Sequence, residues 1–283
     1  MEVVHLEDAG QALDRLGEPL REAGAEGELS YGILRRLVAD PRAWGDEVTI
    51  LVAVGSGAPL ALVTMTGEHP ALIVGFDAPS DIPFRALVEA MVAADRRPTG
   101  VNGARRWSEP FAGAWTDVAA AATEVRRDMR AFELTAVRRP AVPPGAFRQA
   151  EPAERGQLVV WTSAMCAEIG EPTTDEESVR VVDRLTAGND LCVWERDGEA
   201  VSMAAVTRRT PWSSCVALVY TPPELRGRGF ASAVVADLSQ RELDAGQLWC
   251  SLFTDLANPT SNHIYAEIGY QPRCDFRHFA LSW

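Results

Sequence analysis

An apolar strand that runs through a double proline into a glycine-bearing loop and out into a helix leaves few architectures open to a chain. Here it reads Val216-Ala217-Leu218-Val219-Tyr220-Thr221-Pro222-Pro223-Glu224-Leu225-Arg226-Gly227-Arg228-Gly229-Phe230-Ala231. The β-rich apolar run ends at the prolines, which cannot continue a central strand. Gly227 and Gly229 then admit backbone conformations closed to other residues. The first N–H groups of a helix lack intrahelical acceptors and, with the helix dipole, favour an anion such as a pyrophosphate. Arg228 adds a cation beside them. Taken alone, the segment is equally a tight turn entering a helix.

The surrounding pattern predicts a mixed α/β sheet. A short strand over 147–150 and a helix over 152–168 are followed by a second helix, announced by Thr174 with Glu177 three residues on, a capping box. Three strands follow over 190–195, 201–208 and 213–220, the first two joined by Asp197-Gly198. After the helix that begins beyond Gly229 come a strand over 248–253, a helix over 259–268 and a closing pair of strands, at 269–270 and 276–281. The first half shows nearly the same order: helices over 11–22 and 29–38, strands over 48–54, 60–66 and 71–75, and a helix over 84–93. Phe111, Trp115 and the stretch 124–137 read as core. Between the halves, Arg138 to Gly145 holds three prolines and a glycine, which predicts domains at 1–140 and 146–283.

Composition narrows the function. The 283 residues carry 27 basic residues, every one an arginine, against 40 acids, for a formal charge of −13. Both halves are acidic, so non-specific binding to nucleic acid or to anionic membranes is not expected. No run is long and apolar enough to span a bilayer, and the start MEVVHLEDAG lacks a secretory n-region, so a cytoplasmic protein is expected. The five cysteines have neither disulfide-framework nor zinc-ligand spacing, so no metal site is indicated.

A second motif begins 27 residues after Ala231, at Asn258-Pro259-Thr260-Ser261-Asn262-His263-Ile264-Tyr265-Ala266-Glu267-Ile268-Gly269-Tyr270. Asn258 reads as an N-cap with Pro259 at the first helical position, and Ser261 and Tyr265 share one helix face. The two motifs together resemble the GNAT superfamily of N-acetyltransferases. Its loop pattern Q/R-x-x-G-x-G/A is matched by Arg226, Gly229 and Ala231, and its later N-x-x-S/A-x-x-x-Y-x-x-x-G-F/Y by Asn258, Ser261, Tyr265, Gly269 and Tyr270. The resemblance covers about residues 146–283, and the run 252–262 looks like that of uncharacterised bacterial members with a poorly matched N-terminal region.

The resemblance implies a C-terminal GNAT fold preceded by a degenerate GNAT-like domain, or by an unrelated α+β cap, since the first half has no Gly-x-Gly or Gly-x-Ala loop. It implies acetyl-CoA as cosubstrate, bound by Leu218, Val219 and Tyr220 at a bulged strand, by Arg226, Gly227, Arg228, Gly229, Phe230 and Ala231 at the pyrophosphate, and by Asn258, Ser261 and Tyr265. Direct transfer to a primary amine follows. The Val219 N–H polarises the thioester carbonyl and Tyr265 protonates the leaving thiolate. Glu168 and Glu171 are the acceptor-side candidates for the base, with Asp190 a weaker one. Two other readings stand beside this one: a CoA-binding regulatory module without catalysis, and an acyltransferase using a longer acyl-CoA. The acceptor amine is not identified, and the oligomeric state stays open, a homodimer included.

Overall fold

A computed structural model describes residues 1–283 apart from Asp46 and Glu68. Among the described residues one order of elements occurs twice. The first pass runs β1 (Glu2–His5), α1 (Ala9–Glu22), α2 (Ala25–Ala39), β2 (Val48–Gly55), β3 (Ala58–Thr66) and β4 (Ala71–Gly75). A 3-10 turn (Pro79–Asp81) then leads to α3 (Phe84–Ala93), β5 (Gly100–Ala104), α4 (Arg105–Ala119) and β6 (Ala122–Leu134). The second pass runs β7 (Ala146–Gln149), α5 (Arg155–Glu168), α6 (Asp175–Ala187), β8 (Leu191–Arg196), β9 (Glu199–Arg209) and β10 (Ser213–Tyr220). Here too a 3-10 turn (Pro223–Leu225) precedes the next helix, α7 (Phe230–Asp244), with β11 (Trp249–Asp255), α8 (Pro259–Ile268) and β12 (Gln271–Ser282) after it. The repeat is therefore complete at the level of elements.

Local chemistry explains the starts and stops. Asp8 caps α1 by accepting from the Gln11 N–H at 2.8 Å. Thr174 and Glu177 form the expected capping box of α6, and Asn258 caps α8 with Pro259 at its first position. β2 (VTILVAVG) is almost wholly buried, as a strand apolar but for Thr49 requires inside a sheet. Residues 137–143 form neither helix nor strand, as the prolines dictate. Differences from expectation include strands β1 and β6, which were not foreseen, and the stretch 124–137, read as core, of which 124–126 and 135–136 are exposed. β5 and α4 carry Gly100, Gly103 and Pro110 inside them, which break the local signal. The closing pair of strands is one strand, β12, running through residues 271–282.

The chain packs as two compact units, and neither is one continuous stretch. Unit 1 comprises Met1–Ala131, Thr254–Ala257 and Pro272–Trp283; unit 2 comprises Phe132–Phe253 and Asn258–Gln271. A single division at 140–146 thus does not coincide with the folded units, because β12 completes the sheet of unit 1 and residues from Phe132 onward belong to unit 2. In unit 1 the sheet order is β1-β2-β3-β4-β5-β12-β6. β12 pairs antiparallel with β5, from Phe276 opposite Ala104 to Ala280 opposite Gly100, and bidentate ion pairs Arg277–Asp128 and Arg130–Asp275 tie it to β6. Helices α1 and α2 bury Leu16, Leu20 and Leu34 against Ile50, Val52, Leu62 and Val74.

Unit 2 has the strand order β11-β10-β9-β8-β7. One core packs α7 and α8 (Phe230, Val234, Leu238, Tyr265, Ile268) with Val216, Leu252 and Tyr270, and takes in Phe132 and Leu134 from the end of β6. The other packs α5 and α6 (Leu158, Trp161, Val182, Leu185) on Val193, Met203 and Tyr220. A mixed sheet with helices on both faces follows.

Candidate functional site

β10 and β11 run parallel but pair only at Ser213–Trp249, Ser214–Cys250 and Cys215–Ser251. Beyond Cys215 the two strands part and leave a gap toward their carboxyl ends. On its other side β10 stays paired with β9, and the register slips between Ala217 and Tyr220. Two residues there, Leu218 and Val219, oppose the single Ala204, which is a β-bulge. Leu218 sits at φ +52°, a conformation uncommon for a branched side chain. Ser202 fixes the far side of the bulge: its hydroxyl lies 3.1 Å from the Tyr220 carbonyl oxygen and 2.8 Å from the Thr221 hydroxyl.

Side chains alternate across the bulge. Leu218 and Tyr220 pack toward α5, where Tyr220 meets the Trp161 ring at 6.1 Å. Val219 packs into the opposite cluster, with Leu225, Phe230 and Tyr265. The structure thereby brings Val219, Phe230 and Tyr265 together from three elements. Tyr265 is 8% exposed, with its ring edge-on to Tyr270 at 6.0 Å and tilted to Phe132 at 6.5 Å. Burial pushes its phenol up to about 12, so at neutral pH the group is a neutral donor.

The loop after β10 supplies unbonded donors. Leu225 and Arg226 N–H close the 3-10 turn onto Pro222 and Pro223. Gly227 and Gly229 then take φ +73° and +80°, and Gly229 is the N-cap of α7 without a side-chain cap. Among the described residues, the N–H groups from Gly227 to Ser232 bond to no backbone carbonyl. Such a run of outward amides at a helix start is a concave anion site. A Cβ on Gly229 would approach nothing nearer than 3.9 Å, so the residue is required for its dihedral rather than for space.

The charged residues are engaged with one another. Arg226 donates to the Thr221 carbonyl and to both oxygens of Glu168, each at 2.8 Å, and lies over the Tyr220 ring at 5.6 Å. It ties the end of α5 to the loop. Glu168, expected as an acceptor-side base, is thus an ion-pair partner. Glu171 lies exposed on the turn after α5, its N–H bonded to the Cys166 carbonyl. Asp190 is held by Arg209 at the start of β8, a structural role. Arg228 is exposed and donates to the Glu224 carbonyl at 3.1 Å. Asn258 uses its side-chain oxygen to cap α8 through the Ser261 N–H at 3.1 Å, and Ser261 stands half-buried one turn before Tyr265. His263 pairs with Glu267 on the solvent side. Cysteine chemistry gains no support, since burial pushes the Cys166 thiol up and the Cys192 thiol up to about 11.

Sequence reasoning missed Ser202, Trp161 and the Arg226–Glu168 pair. Each partner comes from another element, and no local spacing signals it. It also missed Glu242, which is 3% exposed near the end of α7 and accepts from Arg209, Ser214 and Arg241 at 2.7–3.1 Å. That network pins the last turn of α7, the end opposite the loop, to the end of β9 and the start of β10.

Comparison with known proteins fits this arrangement. Residues 195–278, from the end of β8 into β12, match the family model described as FR47-like protein. A comparison with curated protein sequences gives no significant match. Among solved structures, the chain is similar to a GCN5-related N-acetyltransferase from Sphaerobacter thermophilus, with a TM-score of 0.66 and 15% identity over 99% of this chain and 95% of that one. A GNAT-family acetyltransferase from Colwellia psychrerythraea gives 0.59 and 11% identity over all of both chains. A tandem GNAT protein from the clavulanic acid biosynthesis pathway gives 0.58 and 14% identity over 99% and 98%. The segment that carries the bulge and the loop thus matches the FR47-like family model, and the chain has the fold of solved GNAT acetyltransferases along its whole length.

Proposed function

We propose that the chain is an acetyl-CoA-dependent N-acetyltransferase that passes the acetyl group directly to a primary amine, and that unit 2 carries the chemistry. The observation that supports this most is the pairing of a bulged strand, splayed from its parallel neighbour, with a run of unbonded amides one turn further on. The gap suits a pantetheine arm, and the amides from Gly227 to Ser232 suit its pyrophosphate. Leu218, Val219 and Tyr220 would lie along the arm, with Arg226 and Arg228 framing the loop and Asn258 and Ser261 at the start of α8.

The amine nitrogen attacks the thioester carbonyl carbon, and negative charge grows on the carbonyl oxygen. The Val219 N–H stabilises it, which counts most where water is excluded. The carbon–sulfur bond then breaks, and Tyr265 delivers its proton to the departing thiolate. A phenol held near 12 stays protonated until charge appears on the sulfur. The proton lost by the amine goes to solvent. Holding both reactants side by side supplies much of the rate, so no covalent enzyme intermediate is needed.

The test uses the whole chain. Calorimetric titration with acetyl-CoA should give saturable binding, and an amine panel of polyamines, aminoglycosides and peptides with free N-termini should reveal an acceptor that releases CoA. No binding of acetyl-CoA overturns the reading. Binding with no transfer to any amine favours the regulatory module, and faster turnover with a longer acyl-CoA favours the other acyltransferase.

A further inference from the structure

Unit 1 contains the counterpart of the unit 2 gap. β4 and β5 are parallel and pair only at Ala71–Val101 and Leu72–Asn102, although β4 continues to Gly75 and β5 to Ala104. The strands stay close through the next position, where a Cβ on Gly103 would lie 2.5 Å from the Ile73 carbonyl oxygen, so the counterpart is confined to their last residues, Val74 and Gly75 on β4 and Ala104 on β5. The space between them is filled from within. Val74 faces the α1–α2 core, so Gly75 faces the opposite side of the sheet. A Cβ on Gly75 would lie 2.8 Å from Cδ2 and Cε3 of the Trp107 indole and 2.7 Å from Cδ1 of Ile82. Trp107 stands on the first turn of α4, directly beyond β5, and is 4% exposed. Its Nε1–H nevertheless donates to Glu26 Oε2, at the start of α2, at 2.8 Å. The ring therefore reaches from the end of β5 across the end of β4 to a helix that covers the other face. Arg106 completes the arrangement by bonding the second Glu26 oxygen at 2.6 Å and lying over the indole at 4.7 Å.

The neighbouring devices are also altered. β4 pairs with β3 without a register shift, from Ala61–Gly75 to Thr64–Leu72, and no residue of β4 has a positive φ. In the passage to α3 the N–H groups of Ala78, Asp81, Ile82 and Phe84 are bonded to acceptors within the segment, while Pro79 and Pro83 have none to offer. Asp77 and Asp81 give it the charge of a phosphate rather than that of its host.

We infer that unit 1 holds a second copy of the cofactor gap that the protein has closed with its own side chain, the Trp107 indole standing where a pantetheine arm would pass. This rests on the reading of the unit 2 gap given above. Each chain then carries one acetyl-CoA site, and the Trp107–Glu26–Arg106 group serves as a permanent internal ligand joining α2 to α4.

Two measurements on the full chain test the inference. Titration of the unaltered protein with acetyl-CoA should give one site per chain, and Gly229→Val should weaken that one site about tenfold or more; two sites, or one site of unchanged affinity in Gly229→Val, would overturn it. No binding at all would sink the unit 2 reading while agreeing with a closed unit 1. The second measurement does not depend on unit 2. Trp107→Ala should lower the thermal midpoint by about 10 °C, the scale for deleting a buried indole in a chain of this size. D-pantetheine at millimolar concentration should then recover part of that loss, with a larger shift than in the unaltered chain. Recovery by free indole with none by pantetheine would show an ordinary core cavity and refute the proposal. Should Trp107→Ala not fold, Trp107→Phe, which keeps a ring but loses the bond to Glu26, replaces it with the same readout.

Discussion

Tyr265 is the residue at which enzyme and binding module separate. Tyr265→Phe keeps the ring among Phe132 and Tyr270 and removes only the hydroxyl that donates the proton, so single-turnover transfer should fall by about 10²-fold with acetyl-CoA affinity little changed. Full single-turnover activity in that variant would remove it as the acid. Because burial holds this phenol near 12, its deprotonation should not limit the rate at ordinary alkaline pH, and a falling limb near pH 10 would have to come from another group. Gly229 makes a separate prediction. At φ +80° a β-branched residue costs about 1–3 kcal/mol, so Gly229→Val should weaken acetyl-CoA binding by roughly tenfold or more, and Gly229→Asn, which tolerates this conformation, by less. Equal affinities across the three proteins, measured by calorimetry, would place the phosphates elsewhere. At this scale the sequence was informative where the physics is local. Thr174 and Asn258 cap the helices they precede because a cap bonds an N–H two or three residues away. Glu168 could not be read as the partner of Arg226, 58 residues on, since nothing in either neighbourhood encodes the meeting.

Among the elements, α7 carries the largest local responsibility, for its first turn offers the unbonded amides and its last turn is anchored by Glu242. The guanidinium groups of Arg209 and Arg241 and the Ser214 hydroxyl overcome the cost of burying this carboxylate and hold it down at about 2, against an ordinary 4.5. A depressed carboxylate stabilises the fold above its unfolded value, and that contribution, on the order of 2–3 kcal/mol, is lost as the pH falls from about 4.5 toward 2. Glu242→Gln should therefore be less stable near pH 7 and lose less on acidification through that window, as denaturant titrations at several pH values would show. Equal acid sensitivity would mean that the pair contributes nothing net. The elements themselves were legible wherever apolar period and punctuation agreed, as in β4, β10, α3 and α8, whose bounds match expectation. β5 was missed for a physical reason. Its Gly103 is needed because a Cβ there would lie 2.5 Å from the Ile73 carbonyl oxygen, a demand made by a strand some thirty residues away and expressed locally only as a weak β former.

At the scale of the molecule, the repeated order of elements was visible before the structure, but the exchange of end segments was not, since pairing partners of a terminal strand leave no periodic trace. The exchange predicts that residues 146–283 expressed alone will not form a stable fold. β12 would lack β5, and the α7–α8 core would lack Phe132 and Leu134. Circular dichroism and limited proteolysis should report a loosely packed or aggregating fragment, while one extended to include residue 132 should regain part of its core; a cooperative melt of 146–283 would contradict this. The same exchange bears on how the protein is made. The strands β1 to β6 of unit 1 are made before β12, yet their sheet awaits it, and its first residue follows the end of β6 by more than a hundred positions. At about 5–20 residues per second on the ribosome, β5 and β6 stand with an unfilled place between them for roughly 7–30 s. During that interval the nascent chain displays two open strand edges, and a chaperone that shields such edges would set the yield of the folded protein more than its final stability does.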